Sequence, residues 1–193
     1  MNITPKLIFH WPETPVLPPP GQAVLIRVVT AQSRQMARQK LRTALRQMLA
    51  PWSNISPEQL PLRETTSGPV WLGQLGGHNL DISLSYAEGE GWIGLIRAGL
   101  IGVDIMRIQR IPETEEVARH YLDPEVLKTI QQSTDPVLAF AAAWTALEAR
   151  LKCLKQPLRE ASVTPALAMT KCAIQSMVQP DRLIVTVATI SDS

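Results

Sequence analysis

Two acidic residues in separate, mostly apolar segments carry the strongest chemical signal in the chain. Asp104 lies in Leu100-Ile101-Gly102-Val103-Asp104-Ile105-Met106. Glu148 lies in Trp144-Thr145-Ala146-Leu147-Glu148-Ala149-Arg150-Leu151-Lys152. The first segment reads as a strand and the second as a helix. Mg²⁺ takes hard oxygen ligands in an octahedron at about 2.0–2.1 Å, and proteins usually supply one or two carboxylates and leave the rest to water and substrate phosphates. Asp104 and Glu148 would meet that demand if the fold brought them together. The plainer alternative is that Asp104 merely ends a strand while Glu148 pairs with Lys152 one turn on, an i,i+4 contact worth about 0.2–0.5 kcal/mol.

A second signal is basic. Arg34, Arg38, Lys40 and Arg42 stand between Arg27 and Arg46 with no acid among them. Arg34, Arg38, Arg42 and Arg46 recur every four residues, so on a helix they share one stripe. Such a stripe is ordinarily a solvated face; the functional alternative is a ridge facing an anionic small molecule or an acidic protein surface. Other reactive types are dispersed. His10, His78 and His120 lack metal-ligand spacing, and Cys153 and Cys172 form no C-x-x-C pair. Gly76-Gly77 reads as a turn, because no phosphate-loop pattern follows a strand. Trp11, Trp52, Trp71 and Trp92 are scattered and read as packing residues, and no Ser-His-Asp arrangement can be argued.

The elements that must position these residues follow from periodicity and caps. Val24 to Val29 reads as a β-branched strand. Ser33 reads as the N-cap of a helix over residues 34–49, with Met36, Leu41, Leu45, Met48 and Leu49 on one face. Residues 50–69 hold five prolines and glycines and read as a connector. Three strands are expected over residues 79–108, with Ala98-Gly99 as a tight hairpin link between the last two. A helix over about residues 113–121 carries Glu113, Glu115 and Glu116 in its first turn, where the macrodipole favours anions. Asp123-Pro124 and Asp135-Pro136 each place a capping Asp before a proline at the first helical position. The second of these helices runs to about Gln156. Two strands follow, Lys171 to Val178 and Arg182 to Ile190, with Pro180-Asp181 between them. Pro18-Pro19-Pro20 reads as an irregular arm.

The bulk numbers set limits. A chain of 193 residues, 45% of them hydrophobic, can bury a core as one large domain or two small ones. A net charge of +2 is too balanced to argue nucleic-acid binding. No apolar run reaches membrane-spanning length, none at the N-terminus resembles a signal peptide, and the cysteines carry no disulfide pattern. The expectation is a cytoplasmic, mixed α+β protein that binds neither nucleic acid nor membrane.

The residue strings add a family. Gly102-Val103-Asp104-Ile105, followed by Trp144-Thr145 to Glu148-Ala149 and Lys152, resembles the paired motifs of the 4′-phosphopantetheinyl transferase superfamily. Leu84-Ser85-Tyr86 stands where that family has Leu-Ser-His. The resemblance implies two pseudo-symmetric α+β halves: residues 1–98 on the side of the coenzyme A 3′-phosphate, and residues 99–193 with the metal site and carrier-protein side. It implies transfer of the phosphopantetheine arm of coenzyme A to a serine of an apo acyl or peptidyl carrier protein, a holo-acyl-carrier-protein synthase activity serving fatty acid, polyketide or nonribosomal peptide biosynthesis. By the same resemblance, a monomer is expected. Asp104 and Glu148 would ligate Mg²⁺, Glu148 would be the general base, and Lys152 would contact the phosphates. Ser85 and Tyr86 would lie near the 3′-phosphate, with Arg38 and Arg42, ahead of Arg34, as further phosphate ligands.

Three positions depart from the family pattern. Larger members carry a third acid where this chain has Met106, whose thioether is too soft for Mg²⁺. The family Lys before the Glu is Leu147, and the family His is Tyr86. The stretch Asp104 to Arg110 is also similar to the small holo-acyl-carrier-protein synthases, which manage with two acids and carry an arginine facing the carrier protein at the position of Arg110. The departures leave open a degenerate member that binds coenzyme A or a carrier without efficient transfer.

Overall fold

The computed structural model describes residues 7–13, 15–30, 33–65, 68–87, 89–161 and 172–191. In chain order they form β1 (Leu7–His10), β2 (Ala23–Val29), α1 (Arg34–Ser53), β3 (Leu62–Thr65), β4 (Gly68–Trp71), β5 (Gln74–Leu75) and β6 (His78–Ala87). These are followed by β7 (Glu90–Arg97), β8 (Gly99–Arg107), α2 (Thr114–Tyr121), α3 (Pro124–Gln132), α4 (Pro136–Cys153), β9 (Ala173–Val178) and β10 (Leu183–Ser191). The fold is mixed α+β, as the periodicities imply.

Strand alternation dictates the layering. Val24, Ile26 and Val28 of β2 face α1 and pack on Leu41, Leu45, Met48 and Leu49. The intervening Leu25 faces the other way and packs with Trp92, Ile96, Ile101, Val103, Leu183, Val185 and Val187. The five-stranded sheet β1-β2-β7-β6-β5 is therefore covered by α1 on one face and by the three-stranded sheet β8-β10-β9 on the other. α4 closes the outer face of that second sheet through Ala149, Cys153 and Ala188, and through Ala141 and Ile184. Leu25 and Ile96 are wholly buried between the sheets, and each such side chain contributes roughly 1.5–3 kcal/mol relative to exposure.

The expected Ala98-Gly99 hairpin is not formed. β7 pairs with β2 and β6, whereas β8 pairs with β10. The chain leaves one sheet and enters the other at Ala98, which has φ +54°. β8 instead lies beside β6, and side chains of β6 take the place of a backbone ladder. Asp81 Oδ2 accepts from Ile101 N at 2.8 Å, Ser83 Oγ from Val103 N at 2.9 Å, and Ser85 Oγ from Ile105 N at 3.3 Å. Alternate short polar side chains on one strand thereby satisfy alternate N–H groups that the edge of the next would leave unpaired.

Two other readings change, and the proline arm is irregular as expected but held in place. α1 passes through Pro51 and stops at Asn54, which adopts φ +57° and caps Ala50 O. Ser33 stands at its N-cap without a side-chain capping bond. The 50–69 connector contains β3, which pairs with β4 as an antiparallel hairpin. The proline arm is pinned down: Trp52 Nε1 donates to Pro15 O at 2.7 Å, and the buried Arg97 guanidinium donates to Pro18 O. The two Asp-Pro caps form as read, with Asp123 Oδ1 accepting from Glu125 N at 2.9 Å and Asp135 Oδ1 from Leu138 N at 3.0 Å. The second cap starts α4, which carries Glu148 and Lys152.

Candidate active site

Gly102 determines how closely α4 approaches β8. A Cβ at this position would lie 1.9 Å from Ala149 O and 2.5 Å from Cys153 N, so only glycine lets the helix backbone rest on the strand. Glu148 and Lys152 are the residues just before these two contacts. Asp104, two residues beyond Gly102, projects from the same face of β8. One close approach thus aligns the two motifs.

Asp104 is buried and fully engaged on one oxygen. Its Oδ1 accepts from Lys152 Nζ at 2.7 Å and from Ser85 Oγ at 3.0 Å. Lys152 Nζ also donates to Val103 O at 3.1 Å and to Ser85 Oγ at 3.3 Å. The alternative of a simple Glu148–Lys152 surface pair is not what forms: the lysine crosses to the strand. Burial pushes the Glu148 carboxyl above its ordinary value, and the charge of Asp104 raises it further, while Lys152 pulls it down. Two carboxylates near enough to repel through a partly desolvated medium are a site for cationic charge.

The opposite wall comes from the start of α1. Arg34 and Arg38 line the same cleft of about 440 Å³ as Ser85, Tyr86, Asp104, Met106, Trp144, Glu148 and Lys152. Arg34 Nε donates to the Tyr86 hydroxyl, and both guanidinium groups sit over the Tyr86 ring, at 5.9 Å for Arg34 and 5.8 Å for Arg38. Arg42 lies outside the cleft lining. Its guanidinium grips Glu64 through two bonds of 2.8 and 2.7 Å. The structure therefore brings Asp104, Glu148, Lys152, Ser85, Tyr86 and Arg38 together with Arg34, and holds Arg42 a turn away. Sequence reasoning passed over Trp144 as a cleft residue, although its place four residues before Glu148 on one helix was a usable signal.

The departing positions have distinct surroundings. Leu147 is buried with Ala118, Leu122, Ile130 and Phe140, where a lysine would carry its ammonium into an apolar cluster at considerable cost. Met106 lines the cleft and also packs on that cluster. Among the described residues no group of three or more His, Cys, Asp or Glu converges on one point. The donor set still fits a hard dication: two carboxylates sharing one cleft, with room beside them for phosphate and water oxygens.

Residues 100–180, which contain Asp104, Glu148 and Lys152 but neither arginine of the facing wall, match the family model of the 4′-phosphopantetheinyl transferase superfamily. No curated protein matches the chain.

Proposed function

We propose that this chain is a 4′-phosphopantetheinyl transferase, which moves the phosphopantetheine arm of coenzyme A onto a serine of an apo carrier protein; the match over residues 100–180 supports the reading. The observation that carries the reading is the pairing of an acidic wall from β8 and α4 with an arginine wall from α1 across one cleft. Arg34 and Arg38 bind the nucleotide phosphates, and Tyr86 orients both guanidinium groups. The serine oxygen attacks the β-phosphorus of coenzyme A, and the bond from that phosphorus to the bridging oxygen breaks. Adenosine 3′,5′-bisphosphate leaves with the bridging oxygen. Glu148, directly or through a water, takes the serine proton. Asp104 and Glu148 would hold Mg²⁺, which when bound supplies positive charge against the pyrophosphate. Lys152 adds a point charge beside those oxygens.

The carrier protein would dock on the side of Arg107 and Arg110. There an apolar cavity of about 460 Å³, lined by Arg110, Ile111, Leu127, Val137 and Phe140, opens between α2, α3 and α4. The proposed compartment is the cytoplasm, in keeping with two free cysteines. The test is incubation of the protein with coenzyme A, Mg²⁺ and a panel of apo carrier proteins, followed by mass spectrometry. A carrier heavier by one phosphopantetheine arm is expected, and no gain on any carrier would overturn transfer. A second reading, binding of coenzyme A or carrier without transfer, draws on the leucine at 147 and the lysine on Asp104. Tight binding of coenzyme A with no mass gain would select it.

A further inference from the structure

We propose that Lys152 is the built-in counter-cation of the Asp104–Glu148 pair, and that its ammonium and a divalent ion bind there antagonistically. Loading the ion sends the ammonium outward to the substrate phosphates. The inference rests on reading Asp104 and Glu148 as the metal ligands. Three observations support it. The ammonium is pinned by Asp104 Oδ1, Val103 O and Ser85 Oγ within 3.3 Å, so it is a fixed occupant of the acidic wall. The Asp104 side chain is only 11% exposed, so a cation placed against it is poorly screened, whereas Lys152 at 31% retains a path to the cleft. Across that cleft, Arg34 and Arg38 mark where anionic groups would sit.

Magnitude decides between antagonism and coexistence. Like charges about 4 Å apart in a medium of effective dielectric about 20 repel strongly enough to weaken binding by well over tenfold. A divalent ion sharing the Asp104 carboxylate with the ammonium would meet repulsion of this order. A flexible four-carbon stem lets the lysine relieve the repulsion by moving. Phosphates arriving from the arginine side reward the same movement, so substrate and ion should favour each other through Lys152.

The experiment measures Mn²⁺ binding to the full chain at pH 8, by the spin-resonance signal of free Mn²⁺, with and without coenzyme A. Circular dichroism checks that each variant folds. Lys152→Met should bind Mn²⁺ at least tenfold more tightly than wild type when coenzyme A is omitted. The gain in Mn²⁺ affinity on adding coenzyme A should shrink in that variant, and Lys152→Arg, which keeps the charge, should behave as wild type. Equal or weaker Mn²⁺ binding by Lys152→Met would overturn the inference alone. An unchanged coenzyme A increment would overturn the transfer of the ammonium to the phosphates. Mn²⁺ binding by neither protein would overturn the metal reading together with the inference.

Discussion

The two walls of the cleft are built on opposite principles. The acidic wall is buried and over-determined: Gly102 locks α4 to β8, Ser85 and Lys152 hold Asp104, and Val103 O holds the lysine in turn. The arginine wall is open and lightly held. Arg34 and Arg38 touch Tyr86 by one hydrogen bond and two ring contacts, and among the described residues no carboxylate pairs with either. Ring contacts of this kind are worth about 0.5–1 kcal/mol at exposed sites. On the proposed reading, the wall that presents charges to the reacting bond is pre-formed, and the wall that admits and releases the nucleotide is adjustable.

The largest effect should come from breaking the acidic wall. Glu148→Gln keeps shape and removes the base and one hard ligand. Transfer should fall by at least about a hundredfold, since a positioned general base alone supplies roughly 10²–10⁴. Asp104→Asn should do the same. Mass-spectrometric rates on an apo carrier protein measure both, and near-wild-type turnover in either variant would remove that residue from the reaction.

Gly102→Ala attacks the alignment rather than the charges. The added methyl meets backbone atoms of Ala149 and Cys153, which cannot rotate aside as a side chain could. Overpacking of this kind typically costs about 1–3 kcal/mol. The urea midpoint should drop accordingly, and transfer should fall in the fraction that remains folded. An unchanged midpoint would mean that α4 does not rest on β8 at this glycine.

Motifs and caps were legible because each is local. Gly102 to Ile105 alternates as a strand, and Asp135-Pro136 announces the start of the helix that carries Glu148. What stayed hidden was which sheet each strand joins. Ala98-Gly99 is a good turn pair, yet residues 98 and 99 cannot reveal that β8 pairs with β10, 86 residues downstream at Gly102↔Ala188. The alternation Asp81, Ser83, Ser85 does hold a sign of polar contact with β8, one that the expectation of three strands over residues 79–108 leaves unused. Lys152 on Asp104 is a long-range contact that an i,i+4 rule could not anticipate.

The arginine stripe shows the same limit. A spacing of four places Arg34, Arg38 and Arg42 in line but does not say which turn meets the cleft. The structure separates them, and the kinetics should follow. Arg38→Ala should raise the coenzyme A KM by roughly 10–100-fold with kcat little changed, as for a lost charge-assisted contact of about 1.5–3 kcal/mol. Arg42→Ala, which loses the Glu64 pair and a hydrogen bond to Arg38 O, should leave KM near wild type. Equal KM changes for the two would show that the nucleotide lies along the whole stripe, and that the facing wall extends beyond the cleft.

The smallest effect tests what pre-forming the acidic wall costs. Burial chiefly, and Asp104 secondarily, hold the Glu148 carboxyl above its ordinary value of 4.5, with Lys152 opposing. The folded protein therefore binds that proton more tightly than the unfolded chain does. Stability from this group is fully present below the unfolded value and is lost as pH rises through the folded one. At pH 8 the ionised Glu148 destabilises the fold, so Glu148→Gln should melt at a slightly higher temperature than wild type there. The difference should vanish near pH 4, where wild type also carries the proton. Thermal melts across that range read it directly, and other carboxylates cancel because both proteins share them. A wild type that melts as high as Glu148→Gln at pH 8 would mean that the carboxylate is well solvated. The acidic wall would then be no more strained than the arginine wall, and the contrast between them would reduce to geometry.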